Sequence, residues 1–170
     1  MKSYNFTKIS NSSPLFNILE RCRGVEQHPE WHPEGDVFNH SLQTLKHALR
    51  ETDDIDLIVA AMLHDAGKQI SKLGHEKYSV DLLKNHVSPK TLWLVGNHMR
   101  FWIYALGDMK KLSKVNELSE HEWFPDLVKL CRWDKMGRKP DATPKYDRRL
   151  LIERLRDING ELNKYNTYRV

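Results

Sequence analysis

Cysteine, long apolar runs and alternating strand patterns are all scarce in this chain, and each scarcity removes a class of protein. The two cysteines, Cys22 and Cys131, stand far apart with no partner pattern, so no disulfide framework organises the chain and a reducing cytoplasm is the expected compartment. No stretch approaches the ~18 uninterrupted apolar residues that would span a bilayer. The N-terminus, Met-Lys-Ser-Tyr-Asn-Phe-Thr-Lys, lacks the apolar run of a signal peptide. Internal repeats and low-complexity tracts are also missing, which argues against solenoids and disordered tails.

What is present fits an ordinary globular protein. With 170 residues, 39% hydrophobic and 29% charged, the chain suits one core and one domain. The net charge of +4 is unevenly spread: residues 132 to 157 carry nine Lys/Arg against five Asp/Glu, an excess equal to that of the whole chain. Such a stretch suits nucleotide phosphates or RNA, and also an ordinary solvated helix face.

Helix signals recur along the chain. Ser13-Pro14 opens a first helix that Gly24 ends, a loop runs from 24 to 36, and Asp36 caps a second helix over about 37–50. There Leu42, Leu45 and Leu49 form the core stripe, with His40, Thr44 and His47 beside it. Ile55 to His64 is apolar on all sides after Asp56 and predicts a buried central helix ending in His64-Asp65. Gly67 then breaks the chain. Further helices are expected over about 76–85, from Ser88-Pro89 to about 105, from Pro125 through Asp134, and over about 146–163. The expected fold class is all-α, a helical bundle.

The informative residues are polar groups where the helical pattern demands core. Asp134 lies seven, four and three residues after Leu127, Leu130 and Cys131, so its carboxylate points inward, where it needs protonation, a salt bridge or a cation. His98 repeats the anomaly after Leu94 and Val95 and before Trp102. His40 flanks an inward stripe, and His64-Asp65 ends the most buried helix. Individually each has a bland explanation; together, several imidazoles and two carboxylates directed into one core are best neutralised by a divalent cation. Mixed imidazole and carboxylate donors suit Mn, Fe, Co, Ni or Zn, with Mg also admitted, and such an ion acidifies water and polarises a phosphoryl oxygen.

A His on one helix, then His64-Asp65-Ala-Gly-Lys68, Gly74-His75-Glu76, Asn97-His98-Met99-Arg100 and Asp134, in that order, resembles the HD superfamily of metal-dependent phosphohydrolases. Glu30-Trp31-His32-Pro33-Glu34-Gly35-Asp36-Val37 leading to His40, with Leu94 to Arg100, is most similar to the HD domain of bacterial CCA-adding tRNA nucleotidyltransferases, over about residues 28–138. The resemblance implies a single HD-type domain over 1–170, with metal ligands His40, His64, Asp65 and Asp134. His75 and His98 would line the same cleft as phosphate contacts or as ligands to a second ion, and Lys68 would bind phosphate. Asn97 stands where binuclear relatives often have His, which leaves the second ion open. His32 is expected to organise the loop before the second helix, while His28, His47, His86 and His121 fit no pattern.

Those relatives carry an N-terminal polymerase head for which this chain has no room, so nucleotide addition is not expected. The leading expectation is hydrolysis of a phosphomonoester or phosphodiester on a nucleotide or RNA end, with 2′,3′-cyclic phosphates first. The rivals are a deoxynucleotide mono- or triphosphate phosphohydrolase and a non-catalytic, metal-stabilised module that binds RNA or protein. If the basic C-terminal helix flanks the cleft, Lys145, Arg148 and Arg149 should track an RNA backbone.

Overall fold

In the computed structural model, which describes residues 9 and 14 to 161, the central element is the most apolar one. Helix α3 (Ile55–Leu63) buries every side chain from Leu57 to Leu63. Burying a Leu, Ile or Met contributes about 1.5–3 kcal/mol, so this one helix anchors the core. Around it pack α1 (Pro14–Glu20), α2 (Val37–Glu51), α5 (Pro89–Ala105) and α7 (Phe124–Met136). Helix α4 (His75–Leu83) packs on α5, and α6 (Leu112–Ser119) and α8 (Arg148–Ile158) complete the set. Among the described residues the only extended pairing is an isolated bridge between Glu26 and Asp36, so the fold is all-α.

The expected caps form. Asp36 Oδ1 accepts from Asn39 N at 2.8 Å while Oδ2 accepts from Gly24 N at 2.7 Å, so one carboxylate starts α2 and pins the preceding loop. Ser88 accepts from Thr91 N at 3.1 Å to start α5. Ser13, expected to cap α1, lies outside the described residues; the final helix, expected to reach 163, ends at Ile158, where Asn159 caps it and Gly160 takes a left-handed φ of 68°. Helix α6 was not expected; its eight residues bury only Leu118, too weak a stripe to stand out. The start expected at Glu76 moves to His75, and the final helix starts at Arg148, behind Asp147, whose side chain accepts from Leu150 N.

Two close approaches set the site. Gly67, in a 3-10 turn over Ala66–Gln69, lies so near α4 that a Cβ would sit 2.0 Å from His75 O. Ser79 seals this contact, accepting from Gly67 N at 2.7 Å and donating to His64 O at 2.8 Å. Gly137, after α7, would put a Cβ 2.6 Å from Thr44 Oγ1 on α2. The first contact joins the end of α3 to the start of α4, and the second joins the end of α7 to α2.

Among the described residues no helix is long and apolar enough to cross a membrane.

Candidate metal centre

Five helices and the turn after α3 aim imidazoles and carboxylates at a common point. His40 comes from the first turns of α2, His64 from the end of α3, Asp65 from the residue after it, His75 from the start of α4, His98 from the middle of α5 and Asp134 from the last turn of α7. All six are buried. The inward stripe on α5 (Thr91, Leu94, Val95, His98) and that on α7 (Leu127, Leu130, Cys131, Asp134) place His98 and Asp134 as their spacing predicts.

Backbone carbonyls fix the ring orientations. Nδ1 of His64 lies 3.1 Å from Ala61 O, that of His75 3.1 Å from Lys72 O, and that of His98 2.7 Å from Val95 O. His40 Nδ1 lies 3.2 Å from Gly137 O and 2.8 Å from Glu34 Oε1. A carbonyl or carboxylate can only accept, so each Nδ1 carries the hydrogen and each Nε2 faces the carboxylates.

His40, His64, Asp65 and Asp134 form one group. His40 Nε2 lies 3.0 Å from Asp134 Oδ1 and 3.7 Å from Asp65 Oδ2; His64 Nε2 lies 3.8 and 3.6 Å from the same two atoms. Tetrahedral coordination with bonds of ~2.1 Å requires ligand atoms ~3.4 Å apart, within the spread of these four separations. Both Nε2 atoms are buried and have no hydrogen-bond partner. Left bare in the core, two such acceptors would be costly, so the donor set fits a divalent cation better than it fits itself.

His75, His98 and Lys68 surround the outer side of Asp65. His75 Nε2 lies 2.9 Å from Asp65 Oδ1 and 3.1 Å from His98 Nε2, which is 3.5 Å from the same oxygen. Lys68 Nζ donates to Asp65 Oδ2 and to Gln27 Oε1, both at 2.7 Å, so it faces the cleft rather than bulk solvent. Asn97 turns away, donating to Trp93 O and accepting from Arg100.

The electrostatics follow from the packing. Burial alone would raise both aspartates, but His64, Lys68, His75 and His98 hold Asp65 well below the usual carboxylate range, and His40 and His64 do so for Asp134. Burial depresses His64, keeping it a neutral donor. At His40 and His75 burial is outweighed: Asp134 and Glu34 push His40 up to about 9 and Asp65 raises His75, so the carboxylates favour a positive charge at both rings, whether a proton or a metal ion.

Several contributors carry no helical signal. Glu34 is 7% exposed and shares Oε1 between His40 Nδ1 and His32 Nδ1, 2.9 Å away. Its only sequence cue is a carboxylate in a Pro- and Gly-rich loop. His32 does bind within that loop and also lines the cleft. Ser79 and the Gly137 carbonyl are likewise silent in the sequence. Arg138 donates to Asp134 Oδ1 at 2.9 Å, so the inward carboxylate has a salt bridge as well as imidazoles. His28 and His86 are exposed, His47 is half-buried on α2, and His121 stacks on Trp93 at 3.9 Å.

The basic C-terminal region divides, and here the expected RNA track fails. Lys135 and Arg138 line the cleft of about 390 Å³ above Asp65 and Asp134. Arg148 instead pairs with Glu20 at 3.0 Å and binds Asn17, while Lys145 lines a separate groove between α2 and α8. Tyr146, edge-on to Phe38 and donating to Glu20, holds the start of α8 against α1 and α2, away from the cleft mouth.

Comparison with known proteins agrees with this geometry. Residues 37–149 match the family model of the HD domain. The chain is 42% identical over 76 residues to the Multifunctional CCA protein of Thioalkalivibrio sulfidiphilus, covering 41% of this chain and 19% of that protein. It is 29% identical over 144 residues to that of Methylobacillus flagellatus, covering 73% and 35%, and 28% identical over 162 residues to that of Cupriavidus metallidurans, covering 82% and 39%. The chain therefore spans between about a fifth and two-fifths of these relatives. The matched region contains His40, His64, Asp65, His75, His98 and Asp134, and with that span and an all-helical fold the chain belongs to the HD domain family of metal-dependent phosphohydrolases.

Proposed function

We propose that this chain hydrolyses a phosphomonoester or phosphodiester of a nucleotide or RNA end, with 2′,3′-cyclic phosphates as its first substrates. The observation that carries the reading is the pair of buried, partnerless Nε2 atoms of His40 and His64, set beneath Asp65 and Asp134, which line the floor of a cleft. His40, His64, Asp65 and Asp134 would hold one divalent ion, which would supply an activated water and polarise the phosphoryl oxygen.

The chain's own residues account for the remaining work. Lys68 Nζ and His75 Nε2 both reach Asp65 and both face the cleft, so they bind phosphoryl oxygens beside the ion. His75, raised by Asp65, holds a proton at Nε2 for the leaving oxygen. His98 Nε2, its ring fixed through Val95 O, orients His75 at 3.1 Å. Similarity to Multifunctional CCA proteins supports a substrate class related to RNA ends.

The test is turnover by metal-stripped protein reloaded with Mn, Co, Ni, Zn or Mg, against 2′,3′-cyclic nucleotides, nucleoside monophosphates and deoxynucleoside triphosphates. Metal-dependent hydrolysis of the cyclic phosphates, abolished in Asp65→Ala, is the expected result. Exclusive turnover of deoxynucleotides replaces this substrate class, and no turnover with intact metal binding leaves a binding module.

A further inference from the structure

The cleft above the metal centre has two unlike walls. Along α5, His98, Trp102 and Leu106 follow at intervals of four residues, so they line one face and climb from floor to rim. Exposure rises with them: His98 is 1% exposed, Trp102 half-buried and Leu106 74% exposed. Met99 widens this wall. Across the opening stand Lys135 and Arg138.

The apolar wall offers surface but little that could read an edge. Met99 and Leu106 carry no group that pairs with a base edge and Trp102 only its indole N–H, while across the cleft Arg138 and His32 are held by Asp134 and Glu34. The carbonyls at the end of α5 are taken, since Trp102 O, Ile103 O and Tyr104 O accept from Leu106 N, Asp108 N and Gly107 N at 3.0 Å each. Phe101 meets Trp102 edge-on at 5.5 Å between centroids and fixes the indole. One helical turn, about 6 Å of rise, separates Trp102 from His98, which suits a ligand whose phosphate lies at the floor and whose ring lies one sugar away.

Resting on the nucleotide-phosphohydrolase reading, we infer that Trp102, with Met99 and Leu106, is a stacking platform for the substrate's nucleobase, and that it holds all four bases with little discrimination. Stacking uses the π-face that every base has, whereas discrimination needs hydrogen bonds to base edges. The substrate class is thus a nucleotide phosphate of any base, in preference to a sugar phosphate.

Calorimetry on the metal-stripped protein tests this with the 3′-monophosphates of adenosine, cytidine, guanosine and uridine, and with ribose 5-phosphate. The four nucleotides should bind within about threefold of one another and ribose 5-phosphate about tenfold or more weaker, as the loss of one stacked base implies. Trp102→Ala should erase that difference and Trp102→Phe should restore most of it, while Leu106→Ala, at an exposed rim position, should weaken all four nucleotides alike. A preference of tenfold or more for one base, or unchanged binding by Trp102→Ala, overturns the inference. Turnover of 2′,3′-cyclic nucleotides is measured in parallel. Trp102-dependent nucleotide binding without turnover sinks the hydrolytic reading and keeps the platform; turnover indifferent to Trp102 does the reverse.

Discussion

Glu34 Oε1 lies 2.8 Å from His40 Nδ1, so a carboxylate from the loop before α2 fixes the ring whose other nitrogen faces Asp134. Burial opposes its charge, but His32 and His40 bring Glu34 down to about 2, and it is a full acceptor at neutral pH. Removing such a partner typically weakens metal binding 10- to 100-fold. Glu34→Ala should therefore lower Mn²⁺ affinity by about that factor in a calorimetric titration, with Glu34→Gln, which keeps an acceptor oxygen, in between. Equal affinity for all three proteins would show that the Gly137 carbonyl suffices.

Gly67→Ala should destabilise the protein by about 3 kcal/mol, near the upper end for overpacking, because the added Cβ meets backbone on α4 rather than a movable side chain. Chemical denaturation checks it. A loss under about 1 kcal/mol would mean that the turn and α4 separate easily.

Lys90 bridges Asp54 and Asp126 at 2.6 Å each, tying α5 to the N-cap of α3 and the first turn of α7. Burial would raise Asp126, yet Lys90 and Lys129 hold its carboxyl below its ordinary value. A depressed carboxyl contributes stability present above its unfolded pKa of ~3.9 and lost as pH falls through the folded value. Lys90 shows the opposite linkage: burial would lower it, Asp126 and Asp54 raise it, and its contribution is lost only as pH rises through its folded value, above ~10.4. Lys90→Met should cost about 1 kcal/mol at neutral pH, since the pairs are partly solvated, and should flatten the loss of stability below about pH 4. An unchanged acid limb would contradict this.

With Asn97 turned toward Trp93 and Arg100, it adds no ligand to Asp65, His75 and His98, the three groups within reach of a second ion. Elemental analysis should find about one metal per chain, as a four-ligand site implies, and His98→Ala should leave that stoichiometry alone while lowering turnover. Two ions per chain, falling to one in His98→Ala, would assign His98 to a second site.

Much of this was legible in the sequence wherever periodicity reports burial. The apolar run of α3, the caps Asp36 and Ser88, and the inward spacing of His98 and Asp134 all rest on local rules that the packing obeys. Glu34 and Ser79 were not legible, because their partners lie across the fold or in a loop without a repeat. Arg148 misled for the same reason: charge along the chain does not show which wall a helix covers, and Glu20, 128 residues away, decided it.

The proposed chemistry turns on His40, His64, Asp65 and Asp134 together holding one divalent ion. Electron paramagnetic resonance of metal-stripped protein titrated with Mn²⁺ tests it most directly, because bound Mn²⁺ is counted and coupling to imidazole nitrogen is read in one experiment. About one tightly bound Mn²⁺ per chain with imidazole coupling is expected, with loss of that site in Asp134→Asn, which keeps the shape of the side chain but removes its charge. No bound Mn²⁺ in the wild type, binding without nitrogen coupling, or equal occupancy in Asp134→Asn would contradict it.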